Sequence, residues 1–175
     1  MLGETLFSAA DIDEAIARLS RELVTDYAGS SPILVTVLRG GFMFLADLMR
    51  AVPLPLAVDF LAVSAYGPEA GDLGTVRVLK DLQEPITGRD VIVVEDIIDT
   101  GLTLNYLLGL LRSRRPASLT VCALLDRSVR RIVDIEIKYR GFEIPDVFVV
   151  GYGLDYQQRF RELPYIASLT PEFDG

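Results

Sequence analysis

The chain has 175 residues, half of them hydrophobic, and it carries a formal net charge of −8. This length fits one domain, spanning residues 1–175, and no apolar run reaches the roughly 20 residues that a membrane span needs. The acidic charge argues against binding to nucleic acid, and the absence of histidine excludes Ser-His and Cys-His nucleophile pairs and histidine metal sites. We therefore expect any metal to be an oxygen-bound ion such as Mg²⁺.

The first residues and the single cysteine indicate the compartment. Met1 to Glu4 lack the basic region of a signal peptide, so we expect a cytoplasmic protein with no membrane partner. Cys122 lies within an apolar strand pattern, and one cysteine cannot form an intramolecular disulfide. We therefore predict a core thiol rather than a nucleophile.

The hydrophobic pattern predicts strands that alternate with helices through the first two-thirds of the chain. Helices are predicted over 8–28, where Ser8 and Asp11 form a capping box, and over 42–49 and 104–111. Strands are predicted over 33–38, 58–64, 75–80, 91–94, 119–125 and 147–152, with the third antiparallel to the second. The glycine-rich segment 66–74 is predicted to be a mobile loop, and 155–175 to be irregular. This order indicates an α/β fold with a mostly parallel twisted sheet flanked by helices.

The most informative segment, V-I-V-V-E-D-I-I-D-T-G-L-T-L, covers residues 91–104. Its four branched residues predict a strand buried on both faces, with Glu95, Asp96 and then Asp99 following at its carboxyl end, where open α/β sheets bind their ligands. The turn Thr100–Thr103 precedes a predicted helix, whose N-terminal N–H groups attract phosphate. The segment therefore offers acids for hydroxyls or a metal, a candidate base and an anion cradle. The alternatives are a surface loop with scattered acids, or a structural role for Glu95 and Asp96.

Other patterns carry less information. The chain has no P-loop and no G-x-G-x-x-G after a strand, and Gly151-Tyr152-Gly153 is interpreted as a tight turn. An arginine-rich stretch is interpreted as a solvated or subunit-contacting face. It contains Arg112, Arg114, Arg115, Arg127, Arg130 and Arg131.

Residues 95–103 closely resemble the phosphoribosyl diphosphate (PRPP) binding loop of type I phosphoribosyltransferases. Leu38-Arg39-Gly40-Gly41 resembles the family's pyrophosphate loop, and the segments 141–156 and 160–165 resemble those of hypoxanthine-guanine phosphoribosyltransferases. The resemblance extends from about residue 33 to residue 166. It implies the type I phosphoribosyltransferase fold with a small hood built from terminal segments, and a cis peptide bond at Leu38–Arg39.

The resemblance also implies a role for each matched residue. Asp99 would accept the proton of the base at N7, Phe148 would stack on the purine, and Val149 would bind its edge through backbone groups. Glu95 and Asp96 would hold the ribose hydroxyls and Mg²⁺, and Asp155 would hold a second Mg²⁺ near the pyrophosphate. The remaining substrate-binding residues implied are Leu38, Arg39, Gly40, Ile97, Ile98, Thr100, Gly101, Leu102, Thr103, Arg127 and Arg161, the last of these on the pyrophosphate. Ala65 and Tyr66 would begin a lid.

Two positions depart from the family. Arg127 stands where the family usually has a lysine that touches the purine 6-oxo group, which leaves the base preference open. Ala65 replaces a serine whose hydroxyl helps to order the closed lid.

The resemblance implies a Mg²⁺-dependent purine salvage enzyme that converts hypoxanthine or guanine and PRPP into IMP or GMP and pyrophosphate. Two alternatives stay open: a xanthine-preferring phosphoribosyltransferase, and a non-catalytic regulator that senses PRPP or a nucleotide. The family commonly forms homodimers or homotetramers, and the apolar helix at 42–49 is a candidate interface.

Overall fold

The structure, a computed structural model, describes residues 1–66 and 75–170 of the chain. The predicted lid segment 66–74 therefore lies, beyond Tyr66, outside the described residues. The helices are α1 (Ala9–Asp26), α2 (Phe42–Ala51) and α3 (Leu102–Ser113), and a 3₁₀ turn covers Ser128–Arg130. The strands are β1 (Leu2–Phe7), β2 (Ile33–Leu38), β3 (Ala57–Tyr66), β4 (Thr75–Lys80), β5 (Asp90–Ile98), β6 (Ser118–Asp126), β7 (Tyr139–Glu143), β8 (Val149–Val150) and β9 (Ile166–Leu169). None of the described helices has the length and apolar character needed to cross a membrane.

A six-stranded sheet in the order β4-β3-β2-β5-β6-β7 forms the body of the molecule. Its pairings are parallel except for β3 with β4, which are antiparallel as predicted. The helices α1 and α2 pack on one face, against β5 residues such as Ile92 and Val94. The helix α3 packs on the other face, against Val91 and Val93. The predicted α/β fold with a mostly parallel sheet is confirmed.

A second sheet, in the order β1-β9-β8, joins the two ends of the chain. It corresponds to the expected hood. Two of its strands differ from the prediction: residues 155–175 were predicted to be irregular but contain β9, and β1 was not predicted. The strand predicted over 147–152 is only two residues long, because the left-handed residues Gly151 and Tyr152 (φ 99° and 51°) turn the chain.

The N-terminus of α1 has the predicted capping box. The Asp11 N–H donates to Ser8 Oγ at 3.2 Å, and the Ser8 N–H donates to Asp11 Oδ2 at 2.8 Å. The side chains thus satisfy N–H groups that have no partner within the helix. Cys122 is fully buried in the core, as predicted.

The strand β5 is longer than predicted. It was expected to end at Val94, but it continues to Ile98 because Glu95, Ile97 and Ile98 still pair with β6. The two acids therefore lie on a strand rather than in a loop. The helix α3 begins at Leu102, two residues before the predicted start, directly after Gly101 with a φ of 83°.

Candidate active site

Two neighbouring cavities open at the carboxyl edge of the large sheet. The smaller, of about 200 Å³, lies on the α3 side and is lined by Glu95 and the turn that leads into α3. The larger, of about 380 Å³, lies between the sheet edge and the hood. Ile97 and Asp99 line both cavities, so the two form one continuous site.

Most of the predicted site residues come together here. Those lining the smaller cavity are Glu95, Ile97, Ile98, Asp99, Thr100, Gly101 and Thr103. Those lining the larger cavity are Arg39, Gly40, Asp96, Ile97, Asp99, Arg127, Phe148, Val149, Asp155 and Arg161. Leu38 and Leu102 line neither cavity, and the side chains of Ala65 and Tyr66 lie outside the described residues.

The adjacent acids Glu95 and Asp96 face different cavities. Successive residues of a strand point to opposite faces of its sheet, and accordingly Glu95 lines the cavity on the α3 side and Asp96 the cavity under the hood. Burial and then the negative charge of Asp96 raise the pKa of Glu95 well above its ordinary value. Burial raises the pKa of Asp96 to about 6, although the N–H of Ile97 donates to its carboxylate at 2.8 Å. Burial therefore disfavours the charged form of both carboxyl groups, and a cation or hydrogen-bond donor bound beside them would favour it.

The segment 38–41 approaches Asp96 closely. The peptide bond between Leu38 and Arg39 is cis, as predicted. A Cβ atom at Gly40 would overlap the carboxylate of Asp96, so only glycine fits there without a shift. Gly153, which has a φ of 94°, lies against the carbonyl oxygen of Gly40. The turn at Gly151–Gly153 was predicted, but its contact with Gly40 was not.

Asp99 lies beside three arginines from the segment that follows β6. Arg127 is 5% exposed, and its Nη1 atom is 3.5 Å from Asp99 Oδ2. The Nη1 atom of Arg130 is 3.9 Å from the same oxygen, and Nε of Arg131 donates to the Asp99 carbonyl at 2.9 Å. The interpretation of the arginine-rich stretch as a solvated or subunit-contacting face is therefore wrong for Arg127 and Arg131, whereas Arg130 is exposed to solvent. No spacing rule would have revealed this, because the contacts depend on how β5 and β6 end side by side.

Two buried polar atoms at this point have no hydrogen-bond partner among the described residues. They are Oδ1 of Asp99, an acceptor, and Nε of Arg127, a donor. Leaving such atoms unpaired costs free energy, on the order of 1–3 kcal/mol each. The site is therefore suited to a ligand that presents a donor and an acceptor side by side.

The segment 148–161 closes the larger cavity on the hood side. The ring of Phe148 is 40% exposed and meets Tyr156 edge-on, with 5.7 Å between centroids. Arg161 donates to the carbonyl of Gly153 at 2.6 Å and is 2.7 Å from Asp155 Oδ1. An exposed aromatic face and a fixed guanidinium thus border the same space, as expected for a flat base and an anion.

Comparison with known proteins identifies the family. The phosphoribosyl transferase domain model matches residues 4–157. The chain is 48% identical to the hypoxanthine-guanine phosphoribosyltransferase of Mycobacterium avium, over 95% of this chain and 85% of that protein. It is also 48% identical to the hypoxanthine phosphoribosyltransferase of Salmonella typhimurium, over 95% of each. A crystal structure of a hypoxanthine-guanine phosphoribosyltransferase from Bacillus anthracis has a TM-score of 0.94 and 42% identity, covering 97% of this chain and 100% of that one. The predicted type I phosphoribosyltransferase fold is thereby confirmed, and the chain belongs to the phosphoribosyltransferase family of enzymes, in its hypoxanthine-guanine branch.

Proposed function

We propose that this enzyme transfers the phosphoribosyl group of PRPP to hypoxanthine or guanine, giving IMP or GMP and pyrophosphate. The observation that carries the proposal is the arrangement of Asp99, Arg127 and Phe148 around one cavity. A 6-oxopurine protonated at N7 presents the N7–H donor and the O6 acceptor side by side, which matches the unpaired acceptor of Asp99 and the unpaired donor of Arg127. Phe148 offers its exposed ring for stacking on the base.

Asp99 is the proposed general base. As the purine attacks C1′ of the sugar, the proton on the purine N7 becomes acidic. A carboxylate within hydrogen-bonding reach takes or shares that proton. Val149 lies in β8, where its backbone is held by pairing with Ser168 and can contact the edge of the base. The backbone of the hood thereby sets the position of the base relative to Asp99.

Glu95 and Asp96 are proposed to hold the ribose, one from each side of the strand. As the bond to pyrophosphate breaks, the sugar gains oxocarbenium character, and preorganised negative charge stabilises it. The turn Thr100–Thr103 would bind the 5′-phosphate, since Thr100, Gly101 and Thr103 line the smaller cavity at the N-terminus of α3. Arg39 and Arg161 would contact the pyrophosphate.

Mg²⁺ fits the acids of this site, and we propose it as the cofactor. No group of three or more potential metal-binding side chains occurs within residues 1–66 and 75–170. However, Mg²⁺ commonly uses one or two carboxylates together with substrate phosphates and water. Asp96 and Asp155 border the same cavity, and Asp155 contributes to the raised pKa of Asp96. Glu95 and Asp96 would hold one Mg²⁺ together with PRPP, Asp155 would hold a second near the pyrophosphate, and the ions would supply positive charge to the departing group.

We further propose a cytoplasmic homodimer or homotetramer. Phe42 and Met49 are 40% and 42% exposed on α2, where the sequence predicted an interface. Light scattering coupled to size-exclusion chromatography tests this: a monomer of 19.3 kDa would contradict it.

The first experiment measures pyrophosphate release with PRPP, Mg²⁺ and hypoxanthine, guanine, xanthine, adenine or uracil. We expect turnover with hypoxanthine and guanine, and its absence with both would refute the proposed function. Exchange of Asp99 for asparagine should lower kcat about 10²-fold or more, because the amide cannot take the proton. Asp134→Asn, on the exposed surface, serves as the control.

A preference for xanthine is the second candidate, because Arg127 is buried beside Asp99 where the family usually has lysine. Exclusive turnover with xanthine would establish it. Comparison with Arg127→Lys would then assign the preference: a shift of activity toward hypoxanthine and guanine would show that the guanidinium sets it.

A further inference from the structure

The tip of the turn at residues 156–159 reaches the arginines of the larger cavity. Tyr156 and Arg159 exchange backbone hydrogen bonds of 3.2 and 3.0 Å, with Gln157 and Gln158 between them. Both glutamines have positive φ, 53° and 63°, as in a type I′ turn. Residues with side chains are uncommon in this conformation, and strained backbone of this kind clusters at functional sites.

The two side chains differ in their contacts. The Oε1 atom of Gln158 accepts from Arg39 Nη1 at 2.9 Å and from Arg161 Nη2 at 3.4 Å. The backbone N–H of Gln158 also donates to Asp155 Oδ2 at 2.8 Å. Gln157 instead donates to the hydroxyl of Tyr156 at 3.5 Å. One glutamine thus links the pyrophosphate loop to the hood, and its neighbour does not.

We propose that Gln158 is a positioning residue that assembles a two-arginine site for the diphosphate group. Arg39 and Arg161 carry like charges and come from distant segments, so they do not converge unless an acceptor lies between them. The amide oxygen of Gln158 provides that acceptor before substrate binds. When PRPP or pyrophosphate arrives, its oxygens replace the amide, and the guanidinium groups are already in place.

The neutral charge of the amide is central to this role. A carboxylate at the same position would form ion pairs with both arginines and compete with the diphosphate, because a full negative charge attracts a guanidinium more strongly than an amide dipole does. An amide holds the arginines by hydrogen bonds, but an arriving diphosphate anion displaces it. The inference rests on the proposed function, in which pyrophosphate is the leaving group.

The test compares three variants of the full-length protein: Gln158→Ala, Gln158→Glu and Gln157→Ala. Isothermal titration calorimetry with sodium pyrophosphate in Mg²⁺ buffer gives the Kd, and steady-state kinetics give KM for PRPP and for hypoxanthine. We expect Gln158→Ala to raise the Kd of pyrophosphate and KM for PRPP about fivefold, because the variant loses the two solvent-exposed hydrogen bonds that hold the arginines together. Gln158→Glu should raise both about tenfold or more. KM for hypoxanthine should stay unchanged.

Gln157→Ala is the matched control. It makes the same change in the same turn at the same backbone conformation, so it reports any general effect on the hood. Equal Kd values for pyrophosphate in Gln158→Ala, Gln157→Ala and the parent protein would overturn the proposal, as would a Gln158→Glu protein that binds pyrophosphate as tightly as the parent. Absence of turnover by the parent with every base would instead refute the proposed function, so the two failures are distinguishable.

Discussion

Substitution of Gly153 by alanine tests how the hood positions the pyrophosphate loop. Gly153 has a φ of 94°, and an alanine in a left-handed conformation costs about 1–2 kcal/mol. The new Cβ atom would also overlap the carbonyl oxygen of Gly40. That oxygen belongs to the backbone and cannot rotate away, so we add about 1–3 kcal/mol for the overlap. We therefore expect Gly153→Ala to lower the free energy of unfolding by about 2–5 kcal/mol.

The overlap also predicts an effect on activity. The segment 38–41 would have to shift to admit the methyl group, and displacing a substrate-positioning group by about 1 Å can cost on the order of 10²-fold in rate. We expect kcat/KM for PRPP to fall at least tenfold in steady-state assays on folded protein, with urea denaturation measured in parallel.

Gly29→Ala provides the matched control. Gly29 has a φ of 78°, but a Cβ atom there would have nothing within 4 Å. The free energy of unfolding of this variant should fall only by the cost of the left-handed conformation, about 1–2 kcal/mol, and its kcat/KM for PRPP should stay unchanged. Equal destabilisation in the two variants, with unchanged kcat/KM for PRPP in Gly153→Ala, would refute the argued contact with Gly40.

Three further predictions concern stability and are checked by urea denaturation. Ser8→Ala should cost about 1 kcal/mol through loss of the capping box, whereas Ser8→Thr should cost much less. Gly109→Ala should stabilise the protein by about 0.5–1 kcal/mol, since Gly109 lies within α3 with open space at its Cβ position; a destabilised variant would contradict this. Burial raises the pKa of Asp59, but the N–H groups of Phe60, Glu84 and Gln83 and the charge of Lys80 outweigh it, so the pKa is lowered. The carboxylate therefore stabilises the fold above its unfolded pKa of about 4, and this stabilisation is lost as the pH falls through the folded value. Asp59→Asn should lower the free energy of unfolding by about 2 kcal/mol at pH 7 and should weaken its dependence on pH below about 4. An unchanged dependence of the free energy of unfolding on pH would exclude this role of the carboxylate.

The strands with a continuous or alternating apolar pattern were the easiest to predict. Ile33–Leu38 and Thr75–Lys80 have the predicted bounds, because continuous or alternating branched residues leave a strong local signal. The strand β1 gives no such signal, since most of its residues are exposed. Its strand conformation comes from pairing with β9, more than 150 positions away in the chain. Pairing partners at that distance leave no trace in local periodicity.

The part of the candidate site that lies within one sequence motif was predictable. Glu95, Asp96 and Asp99 were found from a single segment, although the end of β5 was placed four residues early because two acids interrupt the apolar pattern. The contact of Gly153 with Gly40 and the bridge made by Gln158 were missed. Both join segments that are more than 100 residues apart, and a lone glycine or glutamine has no signature of its own.

The pairing order of the small sheet has a consequence for biosynthesis. Residues 2–7 leave the ribosome long before their partner strand, Ile166–Leu169, is made. The strand that carries Val149 also pairs only with this late segment in the described structure. During translation the large sheet can therefore form while the N-terminal strand still lacks a partner, and proteins are commonly completed in such stages. A nascent chain stalled before residue 166 would have the edge of the large sheet in place, yet would lack the backbone support beneath the segment that is proposed to bind the purine.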